Sequence, residues 1–217
     1  MLEKFIKYIF PPKCIVCNVL LDFCTNSGIC EVCMKEIGHI NKIIYIEGSY
    51  FEKVICACEY SGKIKEVIKK YKFNNKPFYY KALAELLYKS IIDKMDYENF
   101  DIIMSVPLHK EREKIRGYNQ SKLISKELSK KLSICEASQI LKKTKNIFPQ
   151  SLLKKDERHK NIKDTFEVNN KKVVQGKSVI LVDDILTTGA TLNEISKCLK
   201  ECGIVRIVAI VVASGRK

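Results

Sequence analysis

"VILVDDILTTGAT", Val179 to Thr191, is the stretch on which the reading of this chain turns. Four apolar residues run into the acidic pair Asp183 and Asp184, and Thr187, Thr188, Gly189, Ala190 and Thr191 close it. The apolar run makes "KSVILVDD" a buried strand. "TLNEISKCLKECG", Thr191 to Gly203, carries helical spacing and a closing glycine, and "IVRIVAIVVAS", Ile204 to Ser214, is a second buried strand. Strand, helix and strand at this spacing form a βαβ unit, and near-continuous apolar strands belong to a parallel sheet covered on both faces.

In such sheets ligands bind beyond the carboxyl ends of the strands, at the first turns of the following helices. Gly189 permits a backbone in which successive N–H groups converge, three threonines add hydroxyls, and the helix dipole favours an anion there. Those features describe a phosphate cradle. Two carboxylates do not serve the same phosphate, because like charges repel. They accept from hydroxyls, such as the vicinal diol of a ribose. A ligand with both parts is a ribose 5-phosphate.

These residues resemble the signature of type I phosphoribosyltransferases, which bind 5-phosphoribosyl-1-pyrophosphate; the G-x-x-x-x-G-K-[ST] phosphate motif is absent from the chain. The resemblance implies that Asp183 and Asp184 hold the ribose hydroxyls as the catalytic pair, and that Thr187, Thr188, Gly189, Ala190 and Thr191 take the 5-phosphate. It further implies Mg²⁺ bridging pyrophosphate and ribose oxygens, with several waters retained. "SVPLHKEREKIRGYNQS", Ser105 to Ser121, follows another buried strand and reads as a loop able to grip pyrophosphate through His109, Lys110, Arg112, Lys114 and Arg116. That segment, with the later Gln150, Arg158, Asn161 and Phe166, is similar to the ComF competence-protein family over essentially the whole chain. Gln150 and Arg158 would then contact the ligand from a long flexible loop. His109 could act as a general base, but a phosphate contact or a solvated loop position is the preferred reading.

Five cysteines lie between Cys14 and Cys33. Cys14, Cys17, Cys30 and Cys33 form two C-x₂-C pairs, the pattern of a closed, structural Zn²⁺ site. Cys24 is surplus, either displacing a ligand or remaining a free thiol. Cys56, Cys58, Cys198 and Cys202 read as packing residues. Ten cysteines without a secretion signal point away from disulfides.

The expected architecture is therefore an α/β, type I phosphoribosyltransferase fold, a parallel sheet flanked by helices, with an N-terminal four-cysteine zinc-binding module. Residues 1–42 are assigned to the module and 43–217 to the phosphoribosyltransferase-like domain. Between them "KIIYIEGSYFEKVICACEY" reads as strand. Ile64, Val67, Ile68 and Tyr71 mark one helix, and Leu83, Leu86, Leu87 and Ile91 a second over about Tyr79 to Met95. Gln139 to Lys142 reads as a short strand, and the segment after it as a long loop.

No apolar run reaches the roughly 20 residues that span a bilayer, so no transmembrane segment is expected and the location is cytoplasmic, with peripheral attachment at the inner membrane through partners left open. The net charge is +14, and from Lys142 to Lys163 eight basic side chains face two acidic ones. Such a balance suits a polyanion. Three functions stay open: transfer of phosphoribose to an unidentified acceptor with release of pyrophosphate; handling of single-stranded DNA alongside other DNA-uptake proteins, with the phosphoribosyl site as a non-catalytic sensor or grip; or a regulatory domain that keeps the ligand site without catalysis. Tyr71, Phe73, Tyr118 and Phe148, interleaved with basic residues, would stack bases in the second case.

Overall fold

The computed structural model of the chain describes residues 11–22, 27–144 and 165–216. Cys24, Phe148, Gln150, Arg158 and Asn161 lie outside them, with most of the lysine-rich segment. The described elements run α1 (Glu31–Glu36), β1 (His39–Ile44), β2 (Val54–Glu59), α2 (Gly62–Phe73), α3 (Tyr80–Lys94), β3 (Ile102–Ser105), α4 (Lys110–Arg116) and α5 (Gln120–Leu132). There follow β4 (Cys135–Glu136), β5 (Leu141–Lys143), β6 (Phe166–Val168), α6 (Lys171–Val174), β7 (Ser178–Leu186), α7 (Ala190–Glu201) and β8 (Arg206–Ser214).

Six strands form one sheet in the order β1-β2-β8-β7-β3-β4. All neighbours are parallel except β1, which pairs antiparallel with β2 at the edge. Alternation along the central strands builds two cores. Ile55, Ile180, Val182, Val208, Ile210 and Val212 face one side, and Val54, Val179, Leu181, Ile207, Ala209 and Val211 the other. The first face is covered by α2, α3 and α5 through Ile64, Ile68, Leu83, Leu87, Ile124 and Leu128; the second by α7 through Leu192, Ile195 and Leu199. Each such side chain stabilises the fold by about 1.5–3 kcal/mol.

The cysteine-rich start joins the first core instead of standing apart. Cys14, Ile15, Leu21, Ile29, Cys33 and Ile37 are buried with α2 and α3. Gly28 packs so closely on α3 that a Cβ there would lie 2.9 Å from Ala82 Cβ.

Three elements differ from the sequence reading. The β-rich stretch after residue 42 is divided between β1 and β2, with Gly48 at φ +68° in the turn region between them. Ser138–Ile140 is a single 3₁₀ turn that precedes β5, which pairs with β6 across the undescribed segment. Finally, β7 does not stop at the acidic pair but continues to Leu186, with Ile185 and Leu186 pairing with Ala213 and Ser214 of β8. Strand β3 ends earlier, with Ser105 opposite Val182. Asp183 and Asp184 are thus held by β8 along one edge and project past the end of β3 on the other.

Candidate functional site

Gly189 makes the loop after β7 possible. It sits at φ +87° as the N-cap of α7, a conformation that side-chain-bearing residues rarely adopt. A Cβ on it would meet Ile46 Cδ1 at 2.6 Å, so the β1–β2 connection closes over this turn. Tyr50 N–H donates to Asn193 Oδ1 at 2.8 Å and ties the same connection to α7. Thr187 is exposed, Thr188 and Thr191 are half-buried, and Ala190 is buried. Thr188 Oγ1 accepts from Ala190 N–H at 3.3 Å, and Arg216 donates to Thr188 O at 3.0 Å. The first N–H groups of a helix have no intrahelical acceptor, and with the dipole of the 12-residue α7 they give this turn the chemistry to receive an anion.

The two carboxylates have different partners. Asp184 is buried, and Lys72 Nζ from the last turn of α2 lies 2.7 Å from its Oδ1. Asp183 Oδ1 accepts from Ser121 Oγ of α5 and from Asp184 N–H, both at 2.9 Å. Burial, followed by the neighbouring Asp184 charge, pushes the Asp183 carboxyl up to about 7, against Lys72 and the two hydrogen bonds. Lys143, at the end of β5, is lowered to about 8 by burial and by Arg112, and Asp183 opposes that shift. Neither Lys72 nor Lys143 was singled out as a site residue from the sequence.

The segment expected as a pyrophosphate-gripping loop is a loop only through His109; residues Lys110–Arg116 are helix α4. The physical reason is visible in its composition. His109 caps it, with Nδ1 accepting from Glu111 N–H at 3.4 Å, acidic residues fill the first turn, basic residues the last, and Gly117 at φ +83° closes it. Arg112 and Arg116 are four apart and share a helix face. With Lys114 and Lys72 they line a cavity of about 460 Å³ whose apolar rim is Phe73 and Ile115. Arg116 Nη1 donates to Gln120 Oε1 at 2.6 Å, and its guanidinium lies 5.2 Å from the Phe73 ring centroid. Lys110 is exposed, and His109 turns toward Glu111. The structure thus gathers Arg112 and Arg116 with Lys72 and leaves His109 and Lys110 outside that lining.

Of the aromatics expected to stack, Tyr71 is fully buried, its hydroxyl donating to Gln120 O at 2.9 Å, and Tyr118 donates to Tyr71 O. Both serve packing, which corrects that expectation for Tyr71. Phe73 is open to solvent, and so is Phe78, which sequence reasoning missed. Phe78, Lys13, Lys70 and Lys76 border a second cavity of about 440 Å³ between the cysteine-rich start and α2.

The sulfur atoms of Cys14, Cys17, Cys30 and Cys33 all lie within 4.8 Å of one another. Cys17 Sγ and Cys30 Sγ are 3.8 Å apart, matching the edge of about 3.8 Å that a tetrahedron with Zn–S of about 2.3 Å requires. Burial raises Cys14, but N–H groups of Cys17, Cys30 and Val16 outweigh it and lower the thiol to about 7. Burial and proton sharing with the other three thiols raise Cys33. A site that lowers one thiol and crowds three more sulfurs around it fits a divalent, thiophilic metal.

Residues 115–217 match the model of the phosphoribosyl transferase domain, and the chain has the type I phosphoribosyltransferase fold, a mostly parallel sheet flanked by helices. Over 215 residues it is 32% identical to competence protein F of Haemophilus influenzae, covering 90% of this chain and 93% of that protein. It is 30% identical over 156 residues to the DNA utilization protein YhgH of Escherichia coli, 70% of this chain and 68% of that one. With competence protein ComFC of Bacillus subtilis it shares 31% over 144 residues, 66% of this chain and 56% of the relative. The chain belongs to the ComF family of competence proteins.

Proposed function

We propose that the protein binds 5-phosphoribosyl-1-pyrophosphate at the β7–α7 turn and transfers its phosphoribosyl group to an acceptor, releasing pyrophosphate. The observation that carries this reading is the placement of Asp183 and Asp184 beyond the end of β3 and immediately before the Gly189 turn. One end of that arrangement suits a diol and the other a phosphate. Gly189, Ala190 and Thr191 with the threonine hydroxyls take the 5-phosphate; Asp183 and Asp184 orient the ribose hydroxyls; Arg112 and Arg116 face the pyrophosphate. Mg²⁺, entering with the ligand, would supply charge neutralisation at the pyrophosphate, while Arg112 and Arg116 hold its oxygens. Gln150 and Arg158, outside the described residues, are proposed as further contacts to the ligand. His109, which caps α4 outside the lining of the basic cavity, is proposed as a phosphate contact and not as the base. Cys14, Cys17, Cys30 and Cys33 of residues 1–42 hold a structural Zn²⁺ that fastens the start of the chain to the domain of residues 43–217, in a cytoplasmic protein.

Calorimetric titration with the ligand and Mg²⁺ tests the reading. Wild type is expected to bind, and Asp183→Asn/Asp184→Asn to lose at least about tenfold in affinity, some 1.4 kcal/mol. Equal binding by both proteins contradicts it.

A second reading is supported by Phe73 and Phe78, exposed rings with Arg116 at 5.2 Å and Lys76 at 5.7 Å from their centroids. Cations over exposed rings form the stacking platform that single-stranded DNA uses. The relatives named for competence and DNA utilization point the same way. Oligonucleotide affinity across a salt series checks it: phosphate contacts require a steep linear fall of log K with log salt, and no binding at low salt removes the reading.

A further inference from the structure

The Lys72–Asp184 pair joins residues 112 positions apart and lies mostly out of solvent, with the lysine side chain 20% and the carboxylate 9% exposed. It occupies a carboxylate oxygen that a ribose diol needs. Pulling the ammonium away with nothing in exchange leaves a buried charge alone, among the costlier changes a protein interior undergoes. An incoming sugar therefore faces a closed acceptor unless the lysine has somewhere to go.

It has such a place. Lys72 also lines the cavity that Arg112, Lys114 and Arg116 border, so one side chain adjoins both Asp184 and the basic cavity. Four cations around one space repel each other until an anion enters it. The lysine stem has enough rotatable bonds to move its head without moving α2. An anion in the cavity supplies the negative charge that Lys72 gives up at Asp184, and a diol supplies the donors that Asp184 gives up with Lys72. Only a ligand carrying both parts leaves every charged group partnered.

We propose that Lys72 is a counter-ion latch on Asp184 that an anionic group at C1 of the sugar draws into the basic cavity, so that the site selects 5-phosphoribosyl-1-pyrophosphate over ribose 5-phosphate. This rests on the phosphoribosyl reading given above and adds to it the residue that enforces the choice. Lys72 is a specificity-determining and positioning residue in this account, acting through Asp184.

The experiment is calorimetry on the full chain with Mg²⁺ and three probes: ribose 5-phosphate, inorganic pyrophosphate and 5-phosphoribosyl-1-pyrophosphate. Lys72→Met is expected to bind ribose 5-phosphate about tenfold more tightly and 5-phosphoribosyl-1-pyrophosphate and inorganic pyrophosphate about tenfold less tightly than wild type, tenfold being the step that 1.4 kcal/mol produces. Lys72→Arg, which keeps the charge, retains the wild-type order. Weakening of both sugar phosphates alike makes Lys72 a plain anion contact and overturns the latch, as does no change in either. Should Lys72→Met fold poorly, the Asp184→Asn background relieves the unpaired charge. There Lys72→Met is expected to shift ribose 5-phosphate affinity less than about twofold, and a full tenfold shift overturns the latch. If wild type binds 5-phosphoribosyl-1-pyrophosphate and the latch fails, the phosphoribosyl reading stands; if wild type does not bind it, both fall.

Discussion

In the cysteine cluster all four sulfurs come from residues 14 to 33, and the turns that aim them are made by the same short segment. In the β7–α7 site the acidic pair comes from one strand, but what surrounds it arrives from Ile46, Lys72, Ser121, Lys143 and Arg216. The first site is a local design whose four sulfurs could hold a metal. The second is held by the packed sheet beneath it and uses distant chain to set its charge. Losing the metal should therefore unfold a region, whereas losing a residue of the second site should change what binds while the fold remains.

The largest expected effect is at the cluster. Cys33→Ser, or chelation of the wild type, should remove zinc from about one per chain to near zero and cost several kcal/mol, since structural zinc contributes of order 10 kcal/mol in small metal-folded peptides. Metal analysis alongside thermal melting reads this, and full stability without zinc would break the contrast. Next is Gly189→Ala. A non-glycine residue at φ +87° with Ile46 against its Cβ should cost about 1–3 kcal/mol, and the double change Gly189→Ala/Ile46→Ala should recover part of it in denaturant melts.

A subtler effect follows from Asp183. Its carboxyl holds its proton to about pH 7 in the folded chain, well above its ordinary 3.8. The folded state then binds more protons than the unfolded state between those values, so stability should fall as pH rises from about 4 to 7. Denaturation across that range should show the fall in wild type and its loss in Asp183→Asn. Unchanged profiles would mean that the carboxyl is not held in the sheet's low-dielectric end. The smallest effect belongs to Phe73→Ala, which should move stability by less than about 0.5 kcal/mol because the ring is exposed. If it also leaves oligonucleotide binding unchanged, the stacking reading loses its support.

What the sequence made legible was whatever is periodic or local. The spacing of Ile64, Val67, Ile68 and Tyr71 gave a helix whose buried residues are those four. The paired C-x₂-C spacing gave a cluster whose sulfurs converge. The acidic pair followed by Thr-Thr-Gly gave the strand, turn and helix of the site. What stayed hidden depended on contacts between remote segments. Lys72 is one of 39 basic residues, and nothing near it in the chain marks its pairing with β7. Helix α4 was readable and was missed: Glu111 and Glu113 before Lys114 and Arg116, with Gly117 after them, is the charge order of a short helix, obscured when its basic residues are read as one loop.

Phosphorus NMR of 5-phosphoribosyl-1-pyrophosphate with Mg²⁺, titrated with protein, addresses the division of labour within the site most directly. Wild type should shift both the 5-phosphate and the pyrophosphate resonances. Gly189→Ala should suppress the 5-phosphate shift selectively, and Arg112→Ala/Arg116→Ala the pyrophosphate shift. A wild-type spectrum in which the 5-phosphate signal stays at its free position while the pyrophosphate signals move would contradict the account.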